Sequence, residues 1–308
     1  MTRTDADTQA ALDRRDASYW IDTAAKTLVF AAGISVILFV AAIFLFIASQ
    51  GLGFAFTELD WLQMFGSGAW RPTAEPPEYG ALYLIAGTAS ITALAMVVAV
   101  PFSVGAAIYV SEFAGRRSRE LLKVLIELLA AIPSVVWGVI GLHVLAPLIT
   151  SVFDVEVGVC LLNAGIVLGL MAAPIMTTIA EDALKAVPDT YREAAEALGA
   201  TRWQIVWRVV LPHARPGLSG AVLLGIGRAF GETMAVLMAS GHAIHLPTSV
   251  FDSVRALTAT IAAELGETAN GDHHYQALFT LGILLFCITF VINLLADWIV
   301  RGRAGRGR

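Results

Sequence analysis

Lysine is nearly missing from this chain: Lys26, Lys123 and Lys185 are the only three. None stands in a G-x-x-x-x-G-K-[ST] pattern, so the chain has no P-loop to cradle nucleotide phosphates. Cysteine is as scarce. Cys160 and Cys287 both lie in apolar runs, with neither metal-ligand spacing nor a disulfide framework, and read as small buried apolar residues. Charge is sparse too, at 15% of residues against 57% hydrophobic. A soluble domain carries about a quarter charged residues, so an ordinary globular protein is excluded. The net charge of −5 says less than the placement of the charges. The alternating pattern of a membrane β-barrel is also absent.

What the chain does have is long apolar runs, and mean hydropathy is +0.73. Six can be drawn, at 27–49, 82–111, 124–149, 159–182, 218–240 and 275–300. Each reaches the roughly 20 residues that a helix needs to cross the hydrocarbon core. Backbone groups in lipid must bond within their own helix, which predicts an all-α, polytopic membrane protein with six transmembrane helices. The first run is too long for a signal-peptide core.

Arginine and lysine set the expected orientation. Seventeen of the 20 lie in the segment before the first run, the loops after the second and fourth, and the segment after the sixth. Only Arg71 and Arg255 fall on the other side, with Arg228 inside a run. Both termini are therefore expected to be cytoplasmic. The domain reading is a cytoplasmic tail 1–26, a six-helix transmembrane domain 27–300 with a cytoplasmic loop 183–217 and external loops 50–81 and 241–274, and a basic cytoplasmic tail 301–308. Pro101, Pro133 and Pro174 read as kinks, or in the case of 131–134 as a pathway lining. Trp61 and Trp70 read as interfacial anchors or as part of an external contact surface.

The 183–217 loop is polar and helix-forming. Thr190 with Glu193, and Thr201 with Gln204, each fit a capping box, and Gly199 between them suits a left-handed cap. The prediction is helix, glycine turn, helix, ending at Pro212. Ala194, Ala195 and Ala197 give the first helix a slim surface suited to a groove. Two readings stand: a docking element, or a cover over a membrane boundary. A DNA-binding helix-turn-helix lacks a base-reading helix and would sit between two spans, so no nucleic acid is expected.

Arg228 and Glu232 fall in the fifth run, four residues apart, which puts them on one helix face. Charges at that depth normally face a bundle interior or a water-filled path. They read either as a self-neutralising ion pair or as the lining of an anion route, since the guanidinium fork suits phosphate-like oxyanions. Gly227 and Gly231 form a G-x-x-x-G pair that permits close helix packing. His143 reads as a bundle histidine. His273, His274 and Asp272 do not make a metal set, and Asp297 with Arg301 reads as a boundary ion pair.

Glu193-Ala194-Ala195, Gly199 and Val209-Val210-Leu211-Pro212 resemble the EAA-x3-G-x9-I-x-L-P signature of ABC importer permeases, with Val209 at the usual Ile. The segment Gly227–Val236 is similar to the R-A-x-G-E-T-M-A-V stretch of phosphate importer permeases of the PstC type, as is Glu127–Gly138 to their third-span motif. The resemblance covers about residues 60–300. It implies a type I ABC importer permease (MetI-like) fold in the plasma (inner) membrane, in contact with lipid. It further implies a phosphate import role without enzymatic chemistry. Glu193, Ala194, Ala195, Gly199, Leu211 and Pro212 would dock on the ATPase, and Arg228 and Glu232 would line the path of inorganic phosphate. The implied partners are a second, PstA-like permease, two ATP-binding subunits and an external phosphate-binding protein. No cofactor or metal is expected in this chain, and ATP with its magnesium would be bound by the partner ATPase. Two rivals remain at this point: a permease for another oxyanion such as sulfate or molybdate, and an ATPase-independent secondary transporter.

Overall fold

The computed structural model describes the backbone of residues 17–304 and the side chains of residues 19–295. The expected Asp297–Arg301 pair, most of the N-terminal tail and the side chains of the basic C-terminal tail lie outside the described residues. The chain divides into two compact units, residues 1–50 and 51–308. The described part of the first is one helix, α1 (Ala17–Thr57), which runs on into the second.

Among the described residues six helices are long and apolar enough to cross a membrane, so the chain is a multi-pass, all-α membrane protein. After α1 come a short helix α2 (Trp61–Gly66) and a two-stranded hairpin, β1 (Trp70–Arg71) and β2 (Glu78–Tyr79), with Trp70 opposite Tyr79. The second span is α3 (Leu82–Ile108), finished by a π turn over Tyr109–Phe113. An amphipathic helix α4 (Arg116–Ala130) follows. The third span is α5 (Ser134–Ile140), a π turn (Gly141–Leu145) and α6 (Ala146–Phe153). Then come α7 (Leu161–Lys185), α8 (Asp189–Ala197) and α9 (Arg202–Ile205). A third π turn (Val206–Val210) leads into α10 (Leu211–Phe230). The chain ends with α11 (Met234–Ala239), α12 (Leu257–Glu264) and α13 (His273–Ala304).

Two expected spans are redrawn. The third does not run 124–149: the chain breaks at Ala131–Pro133 and the span is Ser134–Phe153. Pro133 sits at the N-cap of α5, so it starts a helix and does not kink one. Pro101 and Pro174, by contrast, lie inside helices that continue through them. The fifth span does not run 218–240 either. It reaches from Arg202 to Phe230 and stops at Gly231. Of the two cysteines, Cys160 is buried as expected and Cys287 is exposed.

The helix α7 is the axis of the second unit, with 61% of its most apolar window buried. It packs most broadly on α3, and small residues make this possible. A Cβ on Gly169 would stand 2.8 Å from the Ala95 carbonyl oxygen, and one on Gly165 would stand 2.6 Å from Leu94. Ile91, Ala95, Leu168, Met171, Ala229 and Val236 are buried together where α3, α7, α10 and α11 meet. Around the hairpin, one carboxylate gathers three chain segments. Glu264 accepts from Trp70 Nε1 (2.9 Å) and Arg255 Nη2 (2.7 Å), and lies 2.8 Å from His274 Nε2. His273 pairs separately with Glu58, while His143, expected to pack in the bundle, is exposed.

Candidate functional site

The loop between the fourth and fifth spans is the helix–turn–helix that its residues dictate. α8 ends on Gly199, whose φ of +80° is a conformation few other residues adopt freely. The N–H of Ala200 bonds the carbonyl of Ala195 (3.1 Å) and that of Gly199 the carbonyl of Glu196 (2.9 Å), a complete Schellman cap. The Thr201–Gln204 capping box is present in both directions, at 2.9 and 3.4 Å. The Thr190–Glu193 box is not formed. α8 begins at Asp189 behind Pro188, two residues earlier than a Thr190 cap requires.

Pro212 does not stop the second helix. The π turn ahead of it sets the Leu211 N–H on the carbonyl of Val206, five residues back, and Pro212 enters the first turn of α10. A residue without an N–H is tolerated there. From Arg202 to Phe230 the chain is therefore one helical rod of 29 residues, about 43 Å at 1.5 Å per residue.

Burial divides the signature residues of this loop. Glu193 and Ala194 face outward, as do Ala197 and Leu198, the last 89% exposed. Ala195 turns the other way, against Val187, Ile205 and Val210, and Leu211 packs on the same cluster. The slim outer surface thus consists of Ala194 and Ala197 without Ala195.

What fastens the loop to the spans is a contact that sequence reasoning missed. Arg192 forks onto Glu112, with Nη2 2.9 Å from Oε1 and Nε 3.3 Å from Oε2. Its remaining N–H groups donate to the carbonyls of Leu184 (2.9 Å) and Val187 (2.6 Å) and to Asp189 (3.0 Å). The Glu112 carboxylate holds the Arg192 guanidinium above its ordinary pKa. Glu112 closes the second span, so α8 is stapled to α3. A second such centre is Glu181 on α7, 2% exposed, which pairs with Lys123 of α4 (3.2 Å) and with Lys185. Glu112 and Glu181 each stand near the end of an apolar run, and an acid at that position was the available signal.

At the other end of the rod, Arg228 and Glu232 are not on one helix face. The helix closes at Gly231, a poor helix former, and Glu232 lies beyond it. The Glu232 carboxylate turns to accept from the Ala235 N–H (3.3 Å), while its backbone carbonyl accepts from Thr258 Oγ1 (2.8 Å). Arg228, in the last turn of α10, is exposed and makes no ion pair among the described residues. The self-neutralising pair is therefore not formed. The close approach expected at Gly227 and Gly231 falls elsewhere within this chain. Cβ atoms there would meet nothing nearer than 3.6 Å, whereas one on Gly225 would stand 2.3 Å from Met176 Sδ, and one on Gly217 2.4 Å from Ala183 Cβ.

Residues 99–304 match the family of binding-protein-dependent transport system inner membrane components. The chain is 38% identical to a probable ABC transporter permease protein, YqgH, of Bacillus subtilis, over 89% of each chain. It is 37% identical to the phosphate transport system permease protein PstC of Mesorhizobium japonicum, over 84% of this chain and 86% of that one. Among solved structures it is similar to a chain of the MetNI methionine ABC transporter in an inward-facing conformation (TM-score 0.54, 24% identity, 72% of this chain and 94% of that one). It is also similar to a chain of a bacterial ABC transporter that imports the acidic polysaccharide alginate (TM-score 0.63, 16% identity, 92% of this chain and 98% of that one). Both share the fold of an ABC importer permease.

Proposed function

The chain belongs to the family of inner membrane components of binding-protein-dependent transport systems, and on that premise we propose that it is a permease subunit of an ATP-driven importer of inorganic phosphate. Likeness to phosphate permeases along most of its length carries the substrate. Arg228, exposed at a helix end and without an ion-pair partner among the described residues, supports it, because a guanidinium with free N–H groups is suited to an oxyanion. The chain is a transport component and makes or breaks no bonds.

Its partners in this reading are a second, homologous permease, two ATP-binding subunits that hold ATP and magnesium, and an external phosphate-binding protein. Arg228 is exposed in the single chain, which suits a path bounded on its other side by the second permease. The loop 183–217 and both termini are placed in the cytoplasm by their arginines and lysines. There Glu193, Ala194, Ala197 and Leu198 offer the outward surface to the ATPase. Gly199 shapes the turn, and Ala195, Leu211 and Pro212 seat the loop on the spans.

The mechanism follows from two connections. When the ATPase subunits close on nucleotide, α8 and α9 move with them. Arg192 passes that movement to Glu112 and α3, and the rod Arg202–Phe230 passes it to Arg228 without a flexible joint. Phosphate released on the outer side then meets Arg228, while Glu232, held by Thr258, keeps the helix break open beside it.

The test is labelled phosphate uptake by the assembled complex in vesicles, with arsenate and sulfate as competitors. Arsenate should compete and sulfate should not. Arg228→Ala should abolish uptake, and Glu193→Lys should uncouple ATP hydrolysis from it. Uptake untouched by Arg228→Ala, or stronger competition by sulfate, would refute the assignment.

A further inference from the structure

The helix α4 has no part in that path or in the ATPase-facing surface, yet it carries an unusual face. Arg119, Leu122, Lys123, Ile126 and Ala130 are half-buried, and this side packs on α7. About 140° away around the helix, Leu121, Val124, Leu125, Leu128 and Leu129 are all exposed, Leu121 and Leu128 by 62% and 61%. A narrow polar stripe with Arg116, Glu120 and Glu127 separates the two. Three faces of this kind describe a helix with a protein neighbour beside it, water above and something apolar below.

Two bonds fix the height of α4. Lys123 reaches Glu181, one turn from the last residue of α7. Arg119 donates to the carbonyls of Val110 (2.9 Å) and Ser111 (2.7 Å), where the second span ends. Both ends belong to the membrane surface that carries the loop 186–201. The third span needs no help from α4 to cross: the 20 residues Ser134–Phe153 cover about 30 Å, the thickness of the hydrocarbon core. The 15 residues of α4 add about 22 Å that must be laid along the surface. Its first turn brings two exposed arginines. Arg116 is paired only with exposed Glu120 at 3.3 Å, and Arg117 has no partner among the described residues.

We propose that α4 lies in the membrane interface on that side, its leucine face seated among acyl chains and Arg116 and Arg117 set against anionic phospholipid headgroups. Apolar area and electrostatic attraction then act together, as in other interfacial helices. Through Lys123 and Arg119 the helix ties the leaflet to the same ends of α3 and α7 that hold Arg192 and Glu112. The inference concerns this helix alone and does not depend on which solute is carried.

The test uses the assembled complex with Cys287→Ser, Cys160 being buried. Nitroxides are placed by Leu125→Cys, Leu128→Cys and Glu120→Cys in vesicles of phosphatidylcholine with or without phosphatidylglycerol. Labels at 125 and 128 should be relaxed by oxygen and not by a water-soluble nickel chelate, and the label at 120 the reverse. Omitting phosphatidylglycerol, or introducing Arg116→Gln with Arg117→Gln, should lower the oxygen-to-nickel ratio at 125 several-fold. Exclusion of both reagents from 125 and 128 would mean that protein, such as the second permease, covers this face, and would overturn the proposal. So would nickel access at both, or a ratio indifferent to phosphatidylglycerol. Co-purification of the other subunits checks assembly, and Leu121→Cys replaces any label position that fails it.

Discussion

Removing the Arg192 side chain should free α8 from the membrane spans. The guanidinium and Glu112 are only 17% and 11% exposed, and their fork has contacts of 2.9 and 3.3 Å. At an effective dielectric of about 20, attraction across the shorter contact is roughly 6 kcal/mol before desolvation is charged against it. In Arg192→Ala the carboxylate stays buried without its partner, and the carbonyls of Leu184 and Val187 lose a donor. Breaking such a pair from one side costs about 3–5 kcal/mol. At about 1.4 kcal/mol per factor of ten, that is roughly 100- to 4,000-fold in the equilibrium that docks α8. Hydrogen exchange of the α8 amides in the assembled complex measures it directly and should quicken by up to that factor, with ATP hydrolysis persisting while uptake falls. Asp189→Ala is the control. Its carboxylate is 87% exposed, and an exposed pair contributes on the order of 0.5 kcal/mol. If Arg192→Ala exchanges no faster than Asp189→Ala, the staple is not what holds the loop.

Three further outcomes are expected. Lys123→Ala or Lys185→Ala alone should lower thermal stability only slightly, because each leaves Glu181 one partner, whereas the double variant strands a buried carboxylate and should lose about 3–5 kcal/mol; additive single effects would refute the shared centre. Gly199→Ala meets no atom within 4 Å, so its effect is conformational alone, about 1–2 kcal/mol from the φ of +80°, and Gly199→Asn should be milder; equal melting temperatures for both would contradict this. Burial and then the nearby Arg255 push the His242 imidazole down from 6.5 to about 4. The unfolded loop takes up the proton first. The contribution of neutral His242 is therefore whole above about pH 6.5 and is lost as pH falls toward 4. Proteolysis of the 241–256 loop should rise across that window, and His242→Asn, which tolerates the φ of +62°, should flatten the response.

Much of this architecture was legible in the amino-acid order. Six spans could be counted because hydropathy over about 20 residues is a local property that needs no knowledge of neighbours. Gly199 and the Thr201–Gln204 box were legible for the same reason, since a cap is closed by residues three or four positions apart. The Thr190 box failed although its pattern was as good. Thr190 and Glu193 flank Arg192, whose bonds to Leu184, Val187 and Glu112 set where α8 begins.

Order along the chain determined that this protein spans a membrane six times, that it carries a capped helical loop between the fourth and fifth spans, and which residues were candidates for its path. Tertiary structure decided where the helices break and what the charges meet. Arg228 and Glu232, four positions apart, were expected to share a face and are parted by the end of α10 at Gly231. Arg192 and Glu112, 80 positions apart, were expected to share nothing and form a fork. The physical reason is the same in both cases. Where a helix breaks and what packs beside it decide which groups come within about 3 Å of each other, and distance along the chain does not report that approach.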